Sequence, residues 1–233
     1  MHDFLPEFLQ RCIWVPIRAL FRHYIHFQVE GLSHLRALDA TGEGVLFVSN
    51  HLSEVDPAYI PAALPFFSRY LPMHYVSLTR EHYSHLRGWG VFAGGLLFKA
   101  WGAYPALLGV KNFDVALAYH IGFLKHGKSL CIFPEGGICR GGTTDQARPG
   151  VSHLAWRTSA AIVPVRLVQS GPFSWHDFFH KKLQITVVFG TPLRFSDLAI
   201  DCVGTQENYS VLEHKLIAAH IMDYVHTLSP HHA

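Results

Sequence analysis

Four short apolar runs constrain this chain most: "GVLFVS" (44–49), "SLCIFP" (129–134), "AIVPVRL" (161–167) and "LQITVVFG" (183–190). Each has strand length and is apolar almost throughout, the pattern of a strand covered on both faces. "HFQVEGL" (26–32) and "MHYVSL" (73–78) supply further strands. Between and after them, residues 80–101, 111–126, 150–159 and 207–228 have helical length and periodicity. Strands alternating with helices predict an α/β fold with a mostly parallel central sheet flanked by helices. Hydrophobic residues make up 49% of the chain and charged residues 15%, enough apolar mass for a sizeable core. No repeat or long linker divides it, so a single domain over 1–233 is expected, with an N-terminal helical segment (1–26) and an α/β core (27–233).

In that first segment, "FLPEFLQRCIWVPIRALFRHYIH" (4–26) reads as a helix kinked at Pro16. Glu7, Arg11, Arg18 and Arg22 share one face, with Leu5, Leu9, Ile13, Leu20 and Tyr24 largely opposite. Such a helix suits a membrane interface, arginines among anionic headgroups, or equally the surface of its own domain. Residues 91–110 are long enough to span a bilayer, but Lys99, Pro105 and four glycines favour a buried or interfacial helix followed by a turn. The N-terminus lacks a basic leader with an uninterrupted apolar core, so no cleavable signal peptide is expected.

A formal net charge of +2, with no Lys/Arg-rich block, argues against nucleic acid as a partner. The 18 histidines make surface charge sensitive to mild acid. The pairs His23/His26, His82/His85 and His176/His180 stand about one helical turn apart, yet no Cys or carboxylate cluster accompanies them, so no metal site is expected. Cys12, Cys131, Cys139 and Cys202 form no CxxC pair and read as reduced thiols in a cytoplasmic setting.

Two stretches carry chemistry. In "SNHLSEVDPAYI", His51 follows a strand and Asp56 stands five residues on, where Asn50 or Ser53 can cap the coming helix. A carboxylate on one imidazole nitrogen fixes the tautomer and leaves the other free to take a proton from a hydroxyl. The plainer reading is a local hydrogen bond and a capped helix. In "FPEGGICRGGTTDQARPG" (133–150), glycines surround Glu135, Arg140 and Arg148, which suits an anion gripped by backbone amides and arginine. A Walker loop is excluded because Thr143 occupies the lysine position. No GxSxG elbow or activated cysteine marks a covalent nucleophile.

Together, "NHLSEVDP", "FKAWGAYPALLG", "FPEGGICR" and "IVPVRL" resemble, in order, the four blocks of the glycerolipid acyltransferase family that includes 1-acylglycerol-3-phosphate acyltransferases. The resemblance implies an O-acyltransferase that moves a fatty acyl group from acyl-CoA or acyl-carrier protein to a lysophospholipid at the cytoplasmic side of a membrane, peripherally or monotopically. The thioester is a substrate, and no cofactor is implied. His51 then corresponds to the general base, Asp56 to its orienter, and Asn50 or nearby backbone amides to oxyanion donors. Glu135, Gly136 and Arg140 correspond to acceptor-binding positions, and Pro164 to a residue walling the lipid site. Leu107 and Leu108 stand where the family often has an arginine, leaving Lys99 or Lys111 as substitutes. The arginine of "EGGICR" is displaced by two residues from the commoner "EGTR". Lysophosphatidic acid is the default acceptor. The rivals are a different lipid acceptor, a lipid hydrolase, and a non-catalytic, pH-sensitive membrane-binding protein on the same scaffold.

Overall fold

The computed structural model describes residues 4–77, 96–107, 109–138, 147–171 and 174–230, with the side chains of 96–98 excepted. Seven strands among them form one sheet: β1 (His26–Glu30), β2 (Val45–Ser49), β3 (Met73–Ser77), β4 (Ala103–Pro105), β5 (Ser129–Ile132), β6 (Ala161–Gln169) and β7 (Gln184–Phe189), in the order β1-β7-β6-β2-β5-β3-β4. Every neighbouring pair is parallel except β6 and β7, which run antiparallel. The expected mostly parallel sheet is present.

All five residues of β2 are buried, because the strand is central and has a layer on each side. Val45 and Phe47 face a layer containing Phe21, Tyr59 and Ile60, while Leu46 and Val48 face Leu124, Leu154 and Ile221. A period of two on a doubly covered strand produces the unbroken apolar run.

The expected segment 111–126 is two helices, Phe113–Ala116 and Ala118–Lys125, separated at Leu117. Of 80–101, Leu96–Trp101 is helical and the part up to residue 95 lies outside the described residues. That helix stops at Gly102, whose φ of 93° and close approach to the Met73 carbonyl exclude a side chain. The chain then enters β4. Among the described residues no helix is long and apolar enough to cross a membrane. The last helix, Val211–Thr227, starts at a capping box made by Ser210 and Glu213.

The N-terminal helix, Phe4–Tyr24, runs on through Pro16. It packs on its own domain: buried Gln10 bonds the Met73 amide (2.8 Å) and the Met73 and Trp101 carbonyls (2.7 and 2.8 Å). Arg18 donates to the Ala62 carbonyl at 2.5 Å, Trp14 to Leu64 at 3.1 Å, and Arg11 to Phe66. These carbonyls lie at and just beyond the end of helix Asp56–Ala63, where helices leave acceptors unpartnered and favour cations. Arg11 and Arg18 are therefore not in position to meet headgroups. The helix instead turns Phe4, Leu5, Phe8, Val15 and Leu20 outward, all exposed.

Candidate active site

Strands β2 and β5 are parallel neighbours, so the segments after Ser49 and Ile132 leave the sheet side by side at its carboxyl end. This end is where open α/β sheets present their ligands. His51 and Glu135, 84 residues apart in sequence, meet there: the His51 backbone amide donates to Glu135 Oε2 at 3.2 Å. The His51 ring stacks on Phe133, with centroids 4.3 Å apart and planes at 20°.

His51 Nδ1 lies 2.9 Å from Asp56 Oδ2. Asp56 opens helix Asp56–Ala63, with Pro57 behind it supplying a φ suited to a first turn. Its side chain is fully buried, and the same Oδ2 accepts the amides of Leu52 (2.5 Å) and Ser53 (2.9 Å) while Oδ1 accepts the Ser53 hydroxyl at 2.6 Å. With N–H and O–H donors surrounding it, the carboxyl accepts from His51 Nδ1, and in the neutral imidazole that tautomer leaves the lone pair on Nε2. The His51 side chain is 18% exposed and lines a cleft. The helix start is braced further by Tyr75, whose hydroxyl donates to the Pro57 carbonyl at 2.6 Å.

Burial, then the charge of Asp56, pushes the ionisations of both Tyr59 and Cys131 far up. Cys131 is therefore an inert thiol inside β5. Among the described residues no three His, Cys, Asp or Glu groups come together as a metal site.

The cleft, of about 860 Å³, spans the carboxyl ends of β2, β5, β3 and β4. One wall is apolar, built from Val76, Leu107, Val110, Phe113, Leu117 and Ile132. Opposite chemistry comes from the glycine-rich turn after β5. Gly136 has φ 71°, and a Cβ there would lie 1.9 Å from the Arg148 Nε, so glycine allows the Arg148 side chain to lie against the turn. The Arg148 amide bonds the Pro134 carbonyl at 2.8 Å, which fastens the arginine beside Glu135. Among the described lining residues, Glu135 supplies the one carboxylate and Arg148 the one arginine.

Of the residues singled out in sequence, His51, Asp56, Glu135 and Gly136 come together here, and Arg140 lies outside the described residues together with Leu108. Lys99 does not join them: it is exposed on a helix packed against the N-terminal helix and is absent from the cleft lining. Lys111 is exposed beyond Val110. Pro164 is buried in β6, not in the cleft wall, and faces Gly190 where β7 ends. Its carbonyl accepts the Gly190 amide at 2.8 Å, while the amide it lacks falls where the ladder is finishing. Asn50 is no oxyanion donor of the expected kind, since its amide bonds both the Leu167 carbonyl (3.0 Å) and amide (2.8 Å), clamping β2 to β6. Neither Asn50 nor Ser53 caps the helix amides; Ser53 holds Asp56 instead.

Phe133, stacked on the His51 ring, and Arg148 both line the cleft, although the sequence motifs single out Arg140 and not these two. The available signal for Arg148 was its place one residue before Pro149 and the helix Gly150–Thr158, which anchors it.

A family model described as acyltransferase matches residues 26–168. That interval contains the strands β1 to β5, most of β6, and both sides of the cleft. Among solved structures, the chain is similar to the crystal structure of the 1-acyl-sn-glycerophosphate (LPA) acyltransferase PlsC from Thermotoga maritima. The TM-score is 0.53 at 15% identity, covering 94% of this chain and 82% of that one. At that identity the likeness is one of fold.

Proposed function

Since the chain belongs to the acyltransferase family, we propose that it moves a fatty acyl group from a thioester carrier to the hydroxyl of a lysophospholipid, with 1-acylglycerol-3-phosphate as the leading acceptor and His51 as general base. The observation that carries this reading is the His51–Asp56 pair, 2.9 Å apart, with the acid buried and the imidazole at the cleft.

In the reaction, His51 Nε2 takes the acceptor hydroxyl proton as the oxygen attacks the thioester carbonyl carbon. The tetrahedral intermediate collapses with loss of the thiolate, which receives the proton from the imidazolium. Asp56 holds the ring's tautomer and supports its transient charge. No acyl-enzyme is formed, in keeping with the inert Cys131. The apolar wall from Val76 to Ile132 suits an acyl chain. Arg148 suits a phosphate, and Glu135 positions the His51 backbone. Acyl-CoA and acyl-carrier protein are both candidate donors.

The outward apolar face of Phe4–Tyr24 supports peripheral attachment to the cytoplasmic face of a membrane, where a lysolipid is met. Mass spectrometry of products from a lysolipid panel, incubated with each donor, tests the assignment. Lysophosphatidic acid is expected to be acylated, and Arg148→Ala to raise its KM roughly tenfold or more with a smaller change in kcat. Free fatty acid without an acylated product would identify a hydrolase and overturn the reading.

A further inference from the structure

Resting on the membrane-surface reading above, we propose that helix Trp175–Phe179 and the two lysines after it form a second lipid contact that fits an anionic bilayer surface. Its place follows from topology. Strand β6 is parallel to β2, so Gln169 finishes at the same end of the sheet as Ser49, and β7 returns from Gln184. The connection between them therefore lies at the end of the sheet that carries His51.

The short helix is split into an anchor and a display. Phe178 is buried and stacks on Tyr24 of the N-terminal helix, centroids 5.2 Å apart. Trp175 and Phe179, at i and i+4, share the other face; their rings stack at 6.0 Å and are 64% and 60% exposed. Phe179 also meets Tyr24 edge-on at 5.9 Å, so the patch adjoins the end of the N-terminal helix. Two adjacent aromatic rings held outward are costly in water and suited to the headgroup level, where tryptophan concentrates.

The surrounding charge selects the partner. Lys181 and Lys182 are exposed, and Lys181 reaches over the Tyr24 ring at 5.9 Å. Arg22 and His23 are exposed on the adjoining helix, as are His176 on the helix itself and His180 just after its last turn. Asp177 stands among them, 3.3 Å from the His176 Nδ1. Fixed positive charge thus exceeds negative here, complementary to anionic lipid. One helical contact alone would let the molecule roll about the axis of Phe4–Tyr24. A second contact at the carboxyl end of the sheet removes that freedom and sets the cleft's end toward the interface.

The test uses the full chain and vesicles of phosphatidylcholine with or without phosphatidylglycerol. The double variants Trp175→Ser/Phe179→Ser and Lys181→Glu/Lys182→Glu are each expected to lose roughly tenfold or more in partition onto the anionic vesicles, with thermal unfolding and turnover of a short-chain, monomeric lysolipid unchanged. Phe8→Ser/Val15→Ser on the N-terminal helix serves as the reference. If that variant loses binding while both patch variants bind like wild type, the second contact is refuted and membrane attachment stands. Wild type that binds neither vesicle overturns both. Lysine variants that bind vesicles normally but lose transfer from acyl-carrier protein would assign the patch to an acidic protein and also overturn the proposal.

Discussion

Two His–Asp pairs in this molecule have nearly the same geometry and opposite arrangements. His51 and Asp56 stand 2.9 Å apart with the acid fully buried and the imidazole on the cleft. His153 and Asp114 stand 3.1 Å apart with the imidazole 8% exposed and the acid 44% exposed. Asp114 also binds Arg157 at 2.7 Å, and that arginine, with smaller help from His153, holds its carboxyl below the usual range. Burial lowers His153, and Asp114 only partly opposes it. Spacing and distance alone therefore do not identify a base. What distinguishes the first pair is that the acid is enclosed by donors and the histidine's second nitrogen is left to the cleft. The second pair fastens helix Gly150–Thr158 to Asp114, just behind Arg148.

The comparison breaks most directly at the histidines. His51→Ala is expected to lower the acyl-transfer rate by roughly 10³–10⁴ without unfolding the chain, measured as thiol release with far-UV circular dichroism as control. His153→Ala is expected to leave that rate within about twofold. Next is Asp56→Asn, where an amide would face the Leu52 and Ser53 donors. A rate loss of roughly 10² and destabilisation on the order of 1–3 kcal/mol are expected from turnover and urea melts.

A third effect concerns His214, whose Nδ1 faces the Ser152 hydroxyl at 2.9 Å beneath the same helix. Burial, aided by the nearby His153 and opposed by Glu213, depresses His214 to about 4. The native state keeps this ring neutral while the unfolded chain binds a proton below about 6.5, so stability falls as pH drops from 6.5 toward 4. The loss is on the order of 2–3 kcal/mol, and His214→Asn, which can retain an acceptor for Ser152, is expected to flatten the slope in urea melts at successive pH values. The smallest effect belongs to Asp114→Asn. Its depressed carboxyl contributes stability above the unfolded acid's range, lost as pH falls through the lowered value; exposure limits the cost at neutral pH to about 1 kcal/mol or less by thermal or urea melt.

The sheet was legible because its central strands are buried on both faces, which leaves continuous runs such as "VLFVS" and "SLCI". The three-residue β4 was not, since "AYP" lies among glycines inside an apolar stretch and is a strand only by pairing with β3. Helices Trp175–Phe179 and Phe195–Cys202 are too short for periodicity to declare. The N-terminal helix shows its amphipathicity in sequence, but the direction of its arginines depends on carbonyls at 62–66, far along the chain. At the site, His51 and Asp56 are local and were readable. Asn50 was not, because its partner, Leu167, is 117 residues away. The nearness of Arg148 to Gly136 likewise depends on the positive φ of Gly136 and on the bond from the Arg148 amide to the Pro134 carbonyl, neither of which the sequence displays.

Direct transfer driven by His51 can be tested by single-turnover quench with stoichiometric acyl-CoA and lysophosphatidic acid. With wild type, mass spectrometry is expected to find the acylated lipid forming with no acyl group on the intact protein at any stage, and with His51→Ala little product is expected. A covalent acyl-protein on the path, or wild-type product formation by His51→Ala, would contradict it.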